Sequence, residues 1–155
     1  MSPWKSTLTV ACLIAFACTT PKETTMNDAA ATIIDDMEAA FSRHDVEGVL
    51  ALFAEDATIE SYMVTRVFDR KDGVCRGKAE IRKLVGALVE RGTPWKGHDP
   101  PIVRGNTIAV EYKAKSSESE KFSVDIIELK DGKIHSLRAY AGWRAVMGIT
   151  DGADR

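Results

Sequence analysis

The sequence predicts an α+β fold, with helices first and an antiparallel sheet after them, the helices packing on one face of a curved sheet. Three observations predict it. Apolar residues recur at helical spacing in three stretches up to Glu90. From Ile102 onward they alternate with period two through long segments. Between and within these regions lie short runs of turn chemistry, "DRKDG", "RGN" and "KDG".

Taken in order, the first helix starts at about Asn27 and carries Ala30, Ile33, Ile34, Met37, Ala40 and Phe41 on one stripe. The "SRHD" break ends it, and Asp45 is placed to cap a second helix with Val46, Val49, Leu50 and Phe53 turned inward. In "AEDATIESY" the period changes: Ala57, Ile59 and Ser61 alternate with Thr58, Glu60 and Tyr62, as in a strand. Gly77 leads into the third helix, whose Ile81, Leu84, Val85 and Leu88 form one face, and Arg91-Gly92 closes it. Then come Ile102-Val103, "TIAVEYKAK" with Ile108, Val110, Tyr112 and Ala114 on one face, a polar "SSESE" tip, "KFSVDIIEL" and "KIHSLRAYAGW". Inside "FSVDIIEL" a carboxylate, Asp125, stands between Val124 and two isoleucines. A buried unpaired carboxylate costs several kcal/mol unless it stays protonated or finds donors, so Asp125 either faces water or is held in a pocket.

At 155 residues with 45% hydrophobic content the chain supports one domain with a real core. A net charge of −2 with mixed signs gives no basic face for nucleic acid. Neither GxGxxG nor GxxxxGK[ST] occurs. His44, His98 and His135 have no metal-ligand spacing, so no metal and no cofactor is expected. The N-terminus, "MSPWKSTLTVACLIAFACTTPKETT", has one lysine, an apolar stretch from Leu8 to Ala17, small residues, and a polar spacer. That order is the order of an export signal, and the stretch is shorter than the ~20 residues a membrane span takes. "AFAC" resembles the bacterial lipoprotein box, which implies lipidation at Cys18; Ala15-Phe16-Ala17 also suits ordinary signal peptidase. The expectation is export, to the periplasm or to a membrane anchor, with the lipid as the only membrane contact; the alternative is a cytoplasmic protein starting at Met26. Residues 1–25 are then leader and spacer, 27–147 the folded domain, and 148–155 a flexible tail. With Cys12 removed and Cys18 lipidated, Cys75 is left alone and reads as a small apolar residue at a strand end, with no intrachain disulfide.

Three segments together resemble one family. "AAFSRHDVEGVLALFAEDATIE", "CRGKAEIRKLV" and "VDIIELKDGKIHSLRAY" are similar, in that order, to the opening helices and first strand, the glycine-led third helix, and the final hairpin of the nuclear transport factor 2-like superfamily in its SnoaL-like branch. The resemblance implies a cone: a strongly curved antiparallel sheet wrapped around three N-terminal helices, leaving an apolar pocket. Some relatives, ketosteroid isomerase, polyketide cyclases and limonene epoxide hydrolase, are enzymes; others only bind. By this likeness Asp125 falls on the isomerase's protonated oxyanion-hole aspartate. Ser61 falls on its general base and Met37 on its catalytic tyrosine, and neither residue can do that chemistry. Against the epoxide hydrolase, Arg138 and Tyr140 survive in "RAY", but Ala139 stands at the essential aspartate.

The resemblance therefore implies a pocket lined by Met37, Phe41, Ser61, Asp125, Ala139, Ala141 and Trp143, suited to a small apolar molecule. His135, Leu137, Ala139, Ala141 and Trp143 are expected on the inner face of the last strand. Two readings stay open: an isomerase, cyclase or hydrolase-type enzyme with Asp125 as acid/base, or a non-catalytic, envelope-tethered module for ligand binding or protein interaction. Val124 or Ile126 together with Tyr140 forms an apolar patch on the outer sheet face, which predicts a homodimer.

Overall fold

The computed structural model describes residues 26–92, 98–115 and 120–142. Its elements run α1 (Met26–Ser42), α2 (Val46–Ala51), β1 (Phe53–Ser61), α3 (Tyr62–Phe68), β2 (Val74–Arg76), α4 (Gly77–Glu90), β3 (Ile102–Arg104), β4 (Thr107–Lys115), β5 (Glu120–Lys130) and β6 (Lys133–Ala141). The strands form one six-stranded sheet in the order β2-β1-β6-β5-β4-β3. It is curved and unclosed, as the α+β reading expects. Most neighbouring pairs are antiparallel, but β1 runs parallel to β6, so the chain's first and last long strands meet at mid-sheet.

The α1 stripe is buried as its spacing predicts: Ala30, Ile34, Met37, Ala40 and Phe41 all enter the core. The helix ends where His44 turns left-handed at φ 57°. Asp45 then caps α2, its Oδ1 accepting from the Gly48 amide at 2.8 Å. A Cβ on residue 48 would collide with that same carboxylate, so glycine and cap go together. Phe53, expected in the second helix, is instead the first residue of β1, and it is buried.

The helix count is four among the described residues, one more than the sequence predicts. The extra helix is α3, whose first amide turn is capped by Ser61 Oγ accepting from the Met63 amide at 3.2 Å. Its C-cap, Asp69, is left-handed at φ 52°. The segment "YMVTRVF" is rich in β-formers, so tertiary placement overrides propensity here.

The β5–β6 hairpin turns on Asp131 and Gly132, both with positive φ (52° and 71°), which is the chemistry of an Asp-Gly type I′ turn. One residue later the register shifts: Leu129 pairs with Ile134 but Glu128 with Ser136. His135 is the bulged residue. Ile134 takes the inward place, and His135 sits half-buried with Nδ1 3.5 Å from Asp56 Oδ1. This corrects the expectation that His135 shares the inner face with Leu137: a one-residue bulge reverses facing on one side of it.

The leader 1–25 with Cys18, the tail 148–155 and Trp143 lie outside the described residues. Among the described residues no helix is long and apolar enough to cross a membrane.

Candidate functional site

Sheet register assembles the centre. Ser61 pairs with Ala139, Ala139 with Asp125, and Asp125 with Val110, giving one row across β1, β6, β5 and β4. Ala141 pairs with Ser123 in the row beside it, where Ser123 also faces Tyr112. Alternation puts this set on the core face, because Val110, Tyr112 and Ile127 are buried.

Asp125 is 1% exposed, the one buried polar or charged residue among those described. Its Oδ2 is shut off from solvent and has no hydrogen-bond partner among the described residues. Desolvation pushes its pKa up to about 7, since burial penalises the carboxylate and no donor offsets it. Near neutral pH this group can therefore both give and take a proton.

Tyr112 is the inward neighbour of Asp125 on β4. Burial first, then the charges of Asp125 and Glu38, push its phenol far above the usual range, so it stays protonated. Glu38 comes from α1. It is half-buried, and its Oε1 is shielded from solvent with no hydrogen-bond partner among the described residues. Glu38 follows Ile34 at i+4 and precedes Phe41 at i+3, so an acid occupying a stripe position was the signal available in the sequence.

His98 stands at the edge of this group. It bridges to Tyr112 and sets its ring edge-on to the phenol, with centroids 6.1 Å apart. Nδ1 lies 2.8 Å from the Asp99 carbonyl, and Nε2 lies 3.4 Å from Asp35 Oδ1 on α1. Burial works against the charged imidazole, but the Asp99 carbonyl, the Asp35 carboxylate and the charge of Glu38 outweigh it, so its pKa is raised.

Of the residues the sequence singled out, Met37 and Phe41 lie in the same core cluster as Val110 and Ile127. Ala139 and Ala141 are half-buried on the rows described. Ser61 is on the Asp125 row, with its hydroxyl oxygen engaged in capping α3. Cys75 is fully buried, and desolvation foremost raises its thiol pKa to about 11, which keeps it a poor nucleophile. Among the described residues no three His, Cys, Asp or Glu side chains group as metal ligands. An open groove of about 470 Å³ lies elsewhere, between α2, β1 and α4. Its charges are already matched, Lys78 with Glu55 at 2.8 Å and Arg82 with Glu47, so it offers no reactive group.

Comparison with known proteins supports this architecture. A family model described as a SnoaL-like domain matches residues 34–137, roughly two thirds of the chain. A SnoaL-like protein of unknown function from Burkholderia thailandensis superposes with a TM-score of 0.66 at 14% identity, covering 77% of this chain and 98% of that one. A steroid delta-isomerase from Pseudomonas aeruginosa gives 0.60 at 18% identity, covering 83% and 90%. A candidate polyketide cyclase from Sinorhizobium meliloti gives 0.56 at 20% identity, covering 70% and 93%. No curated protein matches. At these identities the solved structures speak for the fold alone, while the family model spans the helices, the Asp125 strand and most of β6: the chain belongs to the SnoaL-like domain family.

Proposed function

We propose that this protein binds a small, largely apolar molecule between α1 and the β4-β5-β6 surface, and that Asp125 acts on it as a general acid/base in an isomerase, cyclase or hydrolase-type reaction. The observation that carries the reading is the state of Asp125. A carboxyl that is 1% exposed, with a shielded and unpartnered oxygen and a pKa near 7, is costly to keep in a core. Perturbed acids of this kind concentrate where chemistry is done. An acid poised near the working pH transfers protons in either direction, and an apolar surround strengthens its hydrogen bond to a developing oxyanion. The steroid isomerase and polyketide cyclase among the structural relatives act on molecules of suitable polarity, which supports the ligand class.

The test is the titration of the Asp125 carboxyl carbon by NMR, with and without a panel of neutral polycyclic ketones and phenols. The expected midpoint is near 7, moving when a ligand binds. A midpoint at or below the ~3.9 of a free aspartate would remove the acid/base role.

A second reading, a binding module without catalysis, is favoured by one feature: the Ser61 hydroxyl oxygen is occupied by the α3 cap, so the Asp125 row carries no second acid or base. Turnover abolished by Asp125→Asn speaks for the enzyme; binding without turnover speaks for the module. Export through the leader, with lipidation at Cys18, belongs to the same proposal and is checked by the intact mass of protein from its native host. So does a homodimer through the outer face, where Tyr140 is 54% exposed opposite Val124. Light scattering at micromolar concentration showing only monomer would remove the dimer.

A further inference from the structure

Two buried oxygen atoms near Tyr112 lack donors, and both are acceptors: Asp125 Oδ2 from β5 and Glu38 Oε1 from α1. Tyr112 lies diagonally across the β4–β5 pairing from Asp125, and the charge of Glu38 on α1 acts on both Tyr112 and the His98 that bridges to it, so the two carboxyls flank the phenol from the sheet and from the helix. The imidazole whose pKa the Glu38 charge helps to raise is directed away from it. His98 directs Nδ1 to the Asp99 carbonyl and Nε2 toward Asp35. An acceptor shielded from water and left without a donor is destabilising, more so when charged. Something outside the described residues has to supply the donor if the site is to be relieved of that cost.

We propose that Glu38 is a ligand-binding and specificity-determining residue of the Asp125 site, and that the bound molecule presents to it a hydrogen-bond donor, a hydroxyl or amino group, on an otherwise apolar body. The inference rests on the binding role proposed for Asp125 and deepens it by stating the polarity of the ligand. Asp125 acts on one polar group of the molecule; Glu38 accepts from another. A carboxylate or phosphate at that position is disfavoured, because it would meet Glu38 and an ionisable Asp125, while the one nearby group that can carry positive charge, the His98 imidazole, is already directed at the Asp99 carbonyl and Asp35. Rejection by like charge is a stronger discriminator than a missing contact.

The experiment uses the full chain and three probes on one skeleton: naphthol, naphthylmethylamine and naphthoate. Binding is read by calorimetry near pH 7 for wild type, Glu38→Gln and Asp125→Asn. Wild type is expected to bind the alcohol and the amine at least about tenfold more tightly than the carboxylate, a gap of ~1.4 kcal/mol. Glu38→Gln is expected to close most of that gap, weakening the amine and admitting the carboxylate. The alcohol and amine arms separate the two donor types: loss of the amine alone assigns Glu38 a cation, and loss of both assigns it any donor. Naphthoate binding wild type as tightly as naphthol overturns the inference without recourse to a variant. A response to Asp125→Asn with none to Glu38→Gln overturns the role of Glu38 and leaves the acid pocket standing. No binding of any of the three counts against the pocket itself and takes this inference with it.

Discussion

Two acidic side chains of this protein, Glu80 at the start of α4 and Asp125 in mid-β5, meet opposite environments. Glu80 is surrounded by donors: Arg70 gives it Nη1 at 2.9 Å and Nη2 at 3.0 Å, and the Arg76 amide donates at 2.9 Å. The Arg70 hydrogen bonds foremost hold its carboxyl below the usual range. Arg70 also donates to the Val74 carbonyl at 2.6 Å, so one guanidinium ties α3, β2 and α4 together. Asp125 has a shielded oxygen with no partner among the described residues, and burial alone raises its pKa. The first arrangement is what a carboxylate needs in order to hold a fold together. The second costs stability once the carboxyl ionises, which is why it points to function.

The largest effect is expected at Asp125. Its folded pKa is above its unfolded value, so its contribution to stability is fully present below about pH 4 and is lost as pH rises toward 7. A shift of about three units corresponds to roughly 4 kcal/mol at the upper limit. Asp125→Leu, which removes the ionisable group, is therefore expected to be markedly more stable than wild type above pH 7, and Asp125→Asn less so. Both should converge on wild type near pH 4. Urea titrations across that window check it; a variant less stable than wild type at pH 8 would mean that Asp125 is an anchor after all.

Glu80→Gln should show the opposite sign and a smaller size, because the ion pair is partly open to water. Its folded pKa is lowered, so its stabilisation is present above the unfolded value and is lost as pH falls through the folded one. The variant is thus expected to be less stable than wild type at neutral pH and equal to it in strong acid. The same urea series reads both mutants, and two curves bending the same way would dissolve the contrast between the sites.

How much of this was legible in the sequence follows from which features are local. The α1 stripe, the Asp45 cap and the alternation in β4 and β5 are local periodicities, and they survive intact. Asp125 was visible because an acid breaks a run of β-formers. Three features depend on contacts far apart in the chain and were not legible. The parallel pairing of β1 with β6 joins the two ends of the fold. The α3 helix forms in a β-prone segment because it packs against α4, β1, β2 and β6. The His135 bulge reverses facing by a single residue that no pattern announces. Glu38 was overlooked because Met37 and Phe41 already explained the stripe, while its meeting with Tyr112 exists only once α1 lies against β4.

A third carboxylate gives the smallest and most local test. Asp45 accepts one short hydrogen bond among the described residues, from the Gly48 amide at 2.8 Å, with Arg43 Nη2 at 3.9 Å from its other oxygen, and so stands between Glu80 and Asp125. Asp45→Ala removes the cap of α2 and is expected to cost about 1 kcal/mol. Gly48→Ala alone should change little. Alanine favours the helix by up to about 1 kcal/mol over glycine, but its Cβ would occupy the space of the Asp45 carboxylate and push it off the cap. Once Asp45 is alanine that collision is gone, so Gly48→Ala added to Asp45→Ala should recover most of the loss. The double-mutant cycle then gives a coupling of about 1 kcal/mol. Strict additivity, measured by thermal denaturation, would mean that the carboxylate moves aside without losing its bond, and that cap and glycine are independent after all.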